Sequence, residues 1–538
     1  MQPLESALRY WHTVRHLKPI QVYGRLAFHA WRPSVDPRPA PPVRRPSGPW
    51  VAPARRPRSM VRPTTLRLLS VEHDIAAEGW TPSGSDLLWR YNAHYFDDLN
   101  ADGAAGRLAW HGALLDRWLH DVPPGSSPAW DPYPLSTRLV NWIKFALAGA
   151  VLPSRSIDSM AAQARWLTRR IEWHLQGNHL WMNGKALVFA GLFFQGGEAD
   201  AWMELGSRIL SREVDVQVLD DGGHFERSPM YHSLVLEDVL DLLNLMRLFG
   251  RGDEPLARNL SARVAGMRRW LNTMVHPDGE IAFFNDAAFG VAPTPSELGD
   301  YAARLGFPSP LATSAGVTVL RDSGYVRVER GPVVLIMDVG EVGPPFCPAH
   351  AHADTLSLEL SLFGRRIFVN SGTSCYGHGE ERLRQRGTRA HNTVAIEGAD
   401  SSEVWSGFRV ARRARPGVLD IRDTRQSTAI SCSHDGYASR FGGAIHSRTV
   451  RLLDQEMSIV DEVSPSRSAT ARLHLHPDIE AEQGGRLVLS GGATVYVGSS
   501  GGERIEPSWW SPAFGVRIPS SCLAFDSSSG SIKAWVRW

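Results

Sequence analysis

Cysteine is scarce in this 538-residue chain: Cys347, Cys375, Cys432 and Cys522 stand far apart and none forms a CxxC pair. Neither a zinc ribbon nor a disulfide-built scaffold is therefore expected. Long apolar runs are missing as well. Nothing reaches the roughly 18 residues that a membrane span needs. The N-terminus, Met1 to Pro33, interleaves Arg15, His16, Lys18 and Arg25 with its apolar residues. It offers no uninterrupted apolar core of a Sec signal, so the default expectation is a cytoplasmic protein, with the periplasm as the alternative if export takes another route or the start lies elsewhere. An excess of charge is also lacking: a net charge of +2 argues against a nucleic-acid partner.

What is present is ordinary in bulk and unusual in one residue type. Hydrophobic residues make up 43% and charged residues 21%, as in soluble globular proteins, but nineteen tryptophans is a high number. Tryptophan serves either as a sugar platform or as core packing of large helical domains. The length suggests about two to four domains, and two large ones is the working count.

Residues 1–32 read as a short helical segment. Residues 33–66 are rich in proline and arginine and predict an extended linker with solvated charge. From about 105 to 310, apolar residues return every three or four positions. Met160, Ala164, Leu167, Ile171 and Leu175 form one stripe; Leu236, Val239, Leu243 and Met246 form another that stops at Gly250; Leu256, Leu260, Val264, Met267, Leu271 and Met274 form a third behind Asp253 and Pro255. Helices in such succession suggest a bundle or toroid. After 315 the period becomes two: Leu356, Leu358, Leu360 and Leu362 alternate with Ser357, Glu359 and Ser361, and Gly364-Arg365 turns the chain into Ile367 and Val369. A second hairpin follows from Arg448, so the C-terminal part predicts an antiparallel sandwich. The resulting division is 1–66, 67–312 and 313–538.

Three polar clusters interrupt these patterns: Gln176-Gly177-Asn178-His179, the segment His224 to His232, and His350-Ala351-His352-Ala353-Asp354. Each alone fits a helix cap or a hydrogen-bonded packing residue. Their order, GNH, FERSPMYH, HAHAD before a strand and FVNSG, then RAHNT around His391, resembles the heparinase II/III superfamily over roughly residues 80–460. The segment Trp130 to Pro134, with Arg138, Asn141 and Trp142, also resembles relatives from exopolysaccharide gene clusters.

That resemblance implies an incomplete N-terminal (α/α) toroid followed by an antiparallel β-sandwich, and a polysaccharide lyase acting by β-elimination on a uronic-acid-containing glycan. By position, Asn178 matches the asparagine that neutralises the substrate carboxylate, Tyr231 the catalytic tyrosine, His350 the sandwich histidine that completes the site, and His179 a histidine that some relatives use as the base. The chemistry asks for such groups. The C5 proton of a uronate is weakly acidic, so the carboxylate must be neutralised while a base takes that proton and an acid protonates the departing C4 oxygen. Tyr231 suits one or both roles if neighbouring positive charge lowers its pKa. Trp130, Tyr133, Arg138, Arg227, His232 and Arg389 are candidates to grip an anionic polysaccharide, as are Trp89, Tyr91, His94, Tyr95, Arg386 and Arg409.

The chemistry needs no cofactor. Relatives hold a structural zinc, and the matching positions are His352, Asn370 and His391, where Asn370 replaces an expected aspartate and an amide is the poorer ligand. Two other readings stay open: a two-carboxylate glycoside hydrolase drawing on Asp220, Asp221, Glu226, Asp278, Glu280 or Asp286, and a non-catalytic glycan-handling protein. Polymer identity and oligomeric state are not legible.

Overall fold

The structure is a computed structural model that describes residues 2–309, 315–482, 484–489 and 492–538. Helices follow one another from Leu108–Asp121 to Pro295–Arg304, and antiparallel sheets follow from Gly316 to Arg537. The junction expected at 312/313 lies outside the described residues.

Sequence signals set the helix starts. Proline occupies the first turn of Pro132–Leu147, Pro229–Leu248, Pro255–Thr273 and Pro295–Arg304, where its missing N–H costs nothing. Ser228 and Thr294 accept hydrogen bonds from the backbone N–H groups of Tyr231 and Glu297. The second and third apolar stripes fall on the helices Pro229–Leu248 and Pro255–Thr273. The first runs past its helix, which ends at Arg169, so Ile171 and Leu175 belong to the following turn. Two helices at the heart of the toroid, Gly177–Phe193 and Gly197–Gln217, touch backbone to backbone. A Cβ on Gly191 would sit 2.5 Å from the Met203 nitrogen, and one on Gly206 2.8 Å from the Gly184 oxygen. Only glycine permits that crossing.

The C-terminal half contains a five-stranded meander of Gly316–Leu320, Tyr325–Arg330, Val333–Asp338, Leu358–Leu362 and Arg365–Phe368. A four-stranded sheet is tied to it by the Phe368–Leu475 bridge, and an eight-stranded sheet shares the same core. Leu335, Leu358 and Leu360 of the meander pack in one cluster with Ile430, Val450 and Ile459 of the eight-stranded sheet. The strand Leu358–Leu362 alternates in sequence yet is buried on both faces. Its polar face meets the toroid tail instead of water: His276 Nε2 lies 2.9 Å from Glu359 Oε2 and His276 Nδ1 2.8 Å from Ser361 Oγ.

The N-terminal expectations need correction. Residues 1–32 form two helices, Gln2–Val14 and Pro19–Ala30. The proline- and arginine-rich segment is no free linker but a strap laid on the toroid. Arg44 donates its backbone N–H to the Phe193 carbonyl at 2.7 Å, Gly48 to Leu248 at 3.0 Å, and Arg56 ion-pairs with buried Glu237. Proline leaves few backbone donors, so the strap is held by arginine side chains and scattered backbone bonds rather than a ladder.

A candidate active site between toroid and sandwich

Tyr231 enters the interface from the first turn of Pro229–Leu248. Arg227 takes a left-handed φ of 59° just before it, and the Ser228 hydroxyl caps the helix while bonding the Asp286 carbonyl. A non-glycine residue in that region is strained, and such strain gathers at functional sites. His350 arrives from the sandwich loop ahead of Leu358–Leu362. Its ring centroid lies 4.0 Å from that of Tyr231. Tyr376, in the loop after Arg365–Phe368, places its hydroxyl 2.9 Å from the Tyr231 hydroxyl and 3.4 Å from His350 Nδ1.

Asp286 organises this meeting from beneath. It is fully buried, with Oδ2 2.8 Å from His350 Nδ1, Oδ1 2.8 Å from His352 Nε2, and both oxygens bonded by the Arg382 guanidinium. Burial alone would raise its pKa, but Arg382 and the two histidines hold the carboxyl well below its usual range. An acceptor on each of those ring nitrogens fixes the tautomers: protons at His350 Nδ1 and His352 Nε2 leave His350 Nε2 facing Glu226 Oε2 at 3.9 Å.

Asn178 and His179 open the helix Gly177–Phe193 behind two left-handed residues, Gln176 (φ 63°) and Gly177 (φ 55°). Glu226 links them to the other side. A Cβ on Gly177 would stand 2.8 Å from Glu226 Oε1, and the Asn178 backbone N–H favours the Glu226 anion. Among the described residues neither buried Glu226 oxygen has a hydrogen-bond partner within bonding geometry, and burial pushes this carboxyl up, with His350 and His179 opposing. His179 Nδ1 lies 3.1 Å from Glu172 Oε1, and its ring leans on Tyr133 at 4.6 Å. Burial lowers the His179 pKa, but the Glu172 carboxylate more than reverses this, so the imidazole stands above 6.5.

Tyr231 differs from the sequence expectation. Burial, reinforced by Tyr376, Asp286 and Glu226, raises its pKa well above 10. The phenol is therefore held in its protonated form.

Several residues expected to grip a glycan are used by the fold. Arg138 is fully buried, giving Nη1 to the carbonyls of Ala129 and His94 and Nε to Gln163. His232 is buried against Trp270 with Nε2 2.9 Å from the Met267 carbonyl. Trp130 is buried edge-on to Trp166, and Trp89, His94 and Tyr95 are buried too. Arg386 is spent on the carbonyls of Ala351 and Ser406. The tryptophan excess is largely packing: Trp89, Trp118, Trp142, Trp181 and Trp270 are all enclosed. Arg227 ties the Glu341 and Asp322 carbonyls, Tyr133 is half-buried beneath His179, and Arg389 is exposed.

At the expected metal position Asn370 does not face outward as a ligand. Its Oδ1 accepts from His391 Nδ1 at 3.1 Å and from the Asn392 backbone N–H at 3.3 Å. That leaves His391 Nε2 and His352 Nδ1 buried without partners among the described residues, and one ring nitrogen of each of these histidines lies with an Asp354 oxygen in a group spanning no more than 4.8 Å. The carboxylate missing at 370 is present at 354.

Sequence reasoning overlooked Tyr376, Arg382 and Glu172, and weighed Glu226 and Asp286 only as hydrolase carboxylates. A tyrosine seven residues beyond Val369 carries no periodic signal; only chain folding brings it to Tyr231.

Family comparison agrees with this architecture. The "Heparinase II/III N-terminus" family matches residues 126–300, and "Heparinase II/III-like, C-terminal" matches 312–533. A heparin-sulfate lyase of Bacteroides stercoris is 25% identical over 403 residues, covering 70% of this chain and 55% of that protein. The chain thus spans little more than half of that relative. FtsZ-localized protein C of Caulobacter vibrioides is 26% identical over 438 residues, covering 74% of this chain and 71% of that protein. A heparinase III crystal structure superposes with a TM-score of 0.67 at 16% identity, over 86% of this chain and 80% of that one, a likeness of fold. With both characteristic regions in order, the chain belongs to the heparinase II/III family.

Proposed function

We propose that the protein is a polysaccharide lyase that cleaves a uronic-acid-containing glycan by β-elimination. The observation that carries this reading is the meeting of a toroid phenol with a sandwich imidazole and a second phenol, Tyr231, His350 and Tyr376, to which Glu226 links the Asn178 backbone and His179. In the reaction the C5–H bond breaks, its electrons form the C4=C5 double bond, and the C4–O4 bond breaks with O4 taking a proton. His179, with Nδ1 engaged by Glu172, has Nε2 for the C5 proton. Tyr231, kept protonated by burial, donates to O4, and Tyr376 is placed to pass it a proton. Asn178 stabilises the enolate-like carboxylate, where oriented donors in a dry site act most strongly, and His350 closes the site from the sandwich side.

Hydrolysis is poorly served. Of the candidate carboxylates, Asp286 is locked by Arg382 and two histidines, Asp278 is paired with Arg366, and Asp221 is bonded by Ser323. Glycosaminoglycans are the first polymers to test, because curated relatives carry the name heparin-sulfate lyase; alginate and bacterial exopolysaccharide uronates complete the panel. Ultraviolet absorbance of the unsaturated uronate is the readout. New reducing ends without that absorbance would replace elimination by hydrolysis, and binding without any cleavage would leave a glycan-handling protein.

A structural metal is part of the proposal. His352 Nδ1, His391 Nε2 and an Asp354 oxygen suit zinc, and Asn370 then orients His391 from behind. Bound there, zinc would brace the loops carrying His350 and His391. Elemental analysis of gently purified protein should find about one equivalent, and Asp354→Asn should lose it; zinc content near zero removes the claim.

A further inference from the structure

The two N-terminal helices are amphipathic in the wrong sense for a globular surface. Gln2–Val14 meets the sandwich through Arg9, whose Nε bonds Glu403 at 2.8 Å, through the Thr13 hydroxyl, which accepts from Trp405 Nε1 at 3.0 Å, and through the Tyr10 ring, edge-on to Trp405 at 4.9 Å. Its opposite stripe, Ala7, Leu8, Trp11 and Val14, spaced three and four apart, points to solvent. Pro19–Ala30 repeats the arrangement. Gln21 donates to the Phe346 carbonyl at 3.0 Å and Phe28 packs on Arg170 and His174, while Val22, Tyr23, Leu26 and Ala27 face outward. Of the twenty large apolar side chains exposed among the described residues, nine lie between Leu8 and Trp31. They include Trp11 at 60%, Tyr23 at 59%, Leu26 at 69% and Trp31 at 54% exposure. Isolated exposed apolar residues need no explanation; a concentration on one face of each of two successive helices does.

Charge decides what covers them. Residues 1–32 carry Arg9, Arg15, Lys18, Arg25 and Arg32 against Glu5 alone, in a chain whose net charge is only +2. Arg15, Arg25 and Arg32 are exposed, and none of them forms an ion pair with a carboxylate among the described residues. Sandwich arginines extend the cationic rim: His16 feels Arg413, Arg15 and Arg415, and His12 feels Arg15 and Arg412. Apolar stripes with tryptophan and tyrosine, bordered by arginine and lysine, are the makings of an interfacial helix whose apolar face enters the acyl boundary while its cations meet phosphates.

We propose that this helix pair docks the protein on an anionic lipid bilayer surface, lying on the membrane rather than spanning it; among the described residues no helix is long and apolar enough to span. The active-site cleft lies between the domains to which these same helices attach, so docking would present the enzyme to glycan held near that surface.

The test is co-sedimentation of the full chain with vesicles of phosphatidylglycerol and phosphatidylcholine, compared with phosphatidylcholine alone. The wild type should pellet with the anionic vesicles and be released by salt, because surface attraction is screened over about 10 Å at 0.1 M. Replacing Trp11, Tyr23 and Leu26 together by serine should cut binding about tenfold or more, and Arg15→Glu with Arg25→Glu should abolish the preference for anionic lipid. Unchanged circular dichroism and thermal midpoint show that the variants fold. Failure of the wild type to pellet, or equal pelleting of wild type and the serine variant, overturns the proposal. So does light scattering that finds a dimer dissociated by the serine substitutions, since a second copy would then own the face.

Discussion

Replacing Asp286 by asparagine removes one charge from a site where three cation-capable partners converge. Arg382 is fully buried and both its bonds to Asp286 are charge-assisted, so the variant strands a buried guanidinium; removing one partner of such a pair costs about 3–5 kcal/mol. The amide can still accept from one of the two histidines, but its NH2 group must then face the other imidazole N–H or Arg382. Loss of the His350 orientation adds a catalytic penalty, on the order of 10²-fold or more in kcat. Equilibrium urea unfolding of Asp286→Asn beside wild type measures the first effect, and initial rates of unsaturated-uronate formation the second. The sign with pH is fixed. Because the folded pKa of Asp286 is depressed, its contribution is fully present above the unfolded value near 3.8 and fades as pH falls toward the folded one, so the two proteins should converge in stability in strong acid. A variant within about 1 kcal/mol of wild type at neutral pH would refute the picture of Asp286 as the counter-charge of Arg382.

Tyr231→Phe should leave the fold intact and lower kcat about 10²- to 10⁴-fold, with turnover within threefold of wild type removing Tyr231 from the chemistry. Tyr376→Phe, which deletes the hydroxyl 2.9 Å from Tyr231, should slow turnover less and leave the midpoint of denaturation nearly unchanged. If His179 is the base, kcat/KM should rise with pH through a value above 6.5, and Glu172→Gln should move that acid limb downward, since the carboxylate is what raises the imidazole; an unmoved limb assigns the base elsewhere. Gly191→Ala should destabilise by about 3 kcal/mol in urea, because the new methyl meets backbone at 2.5 Å and overpacking outweighs the ~1 kcal/mol gained in helix propensity.

Much of this protein could be read from local pattern. Period 3.6 gave the helices at Pro229 and Pro255, period two gave the hairpins at Leu358 and Arg448, and prolines and glycines marked the ends, because these signals depend on neighbours three or four residues apart. The order of the GNH, FERSPMYH and HAHAD segments likewise led to Tyr231 and His350. Tertiary structure decided everything that depends on distant groups meeting. It buried Arg138, His232 and Trp130, which looked like glycan contacts, because polarity in sequence does not say whether a side chain's partners are solvent or backbone carbonyls. It brought in Tyr376, Arg382 and Glu172, turned Asp286 from a hydrolase candidate into a counter-ion, and raised rather than lowered the Tyr231 pKa, since burial and nearby carboxylates outweigh any cation. The proline-rich segment became a strap, and the apolar faces of the first two helices turned outward, for the same reason: amphipathicity fixes that a helix has two faces, while the body it packs against determines which one is covered.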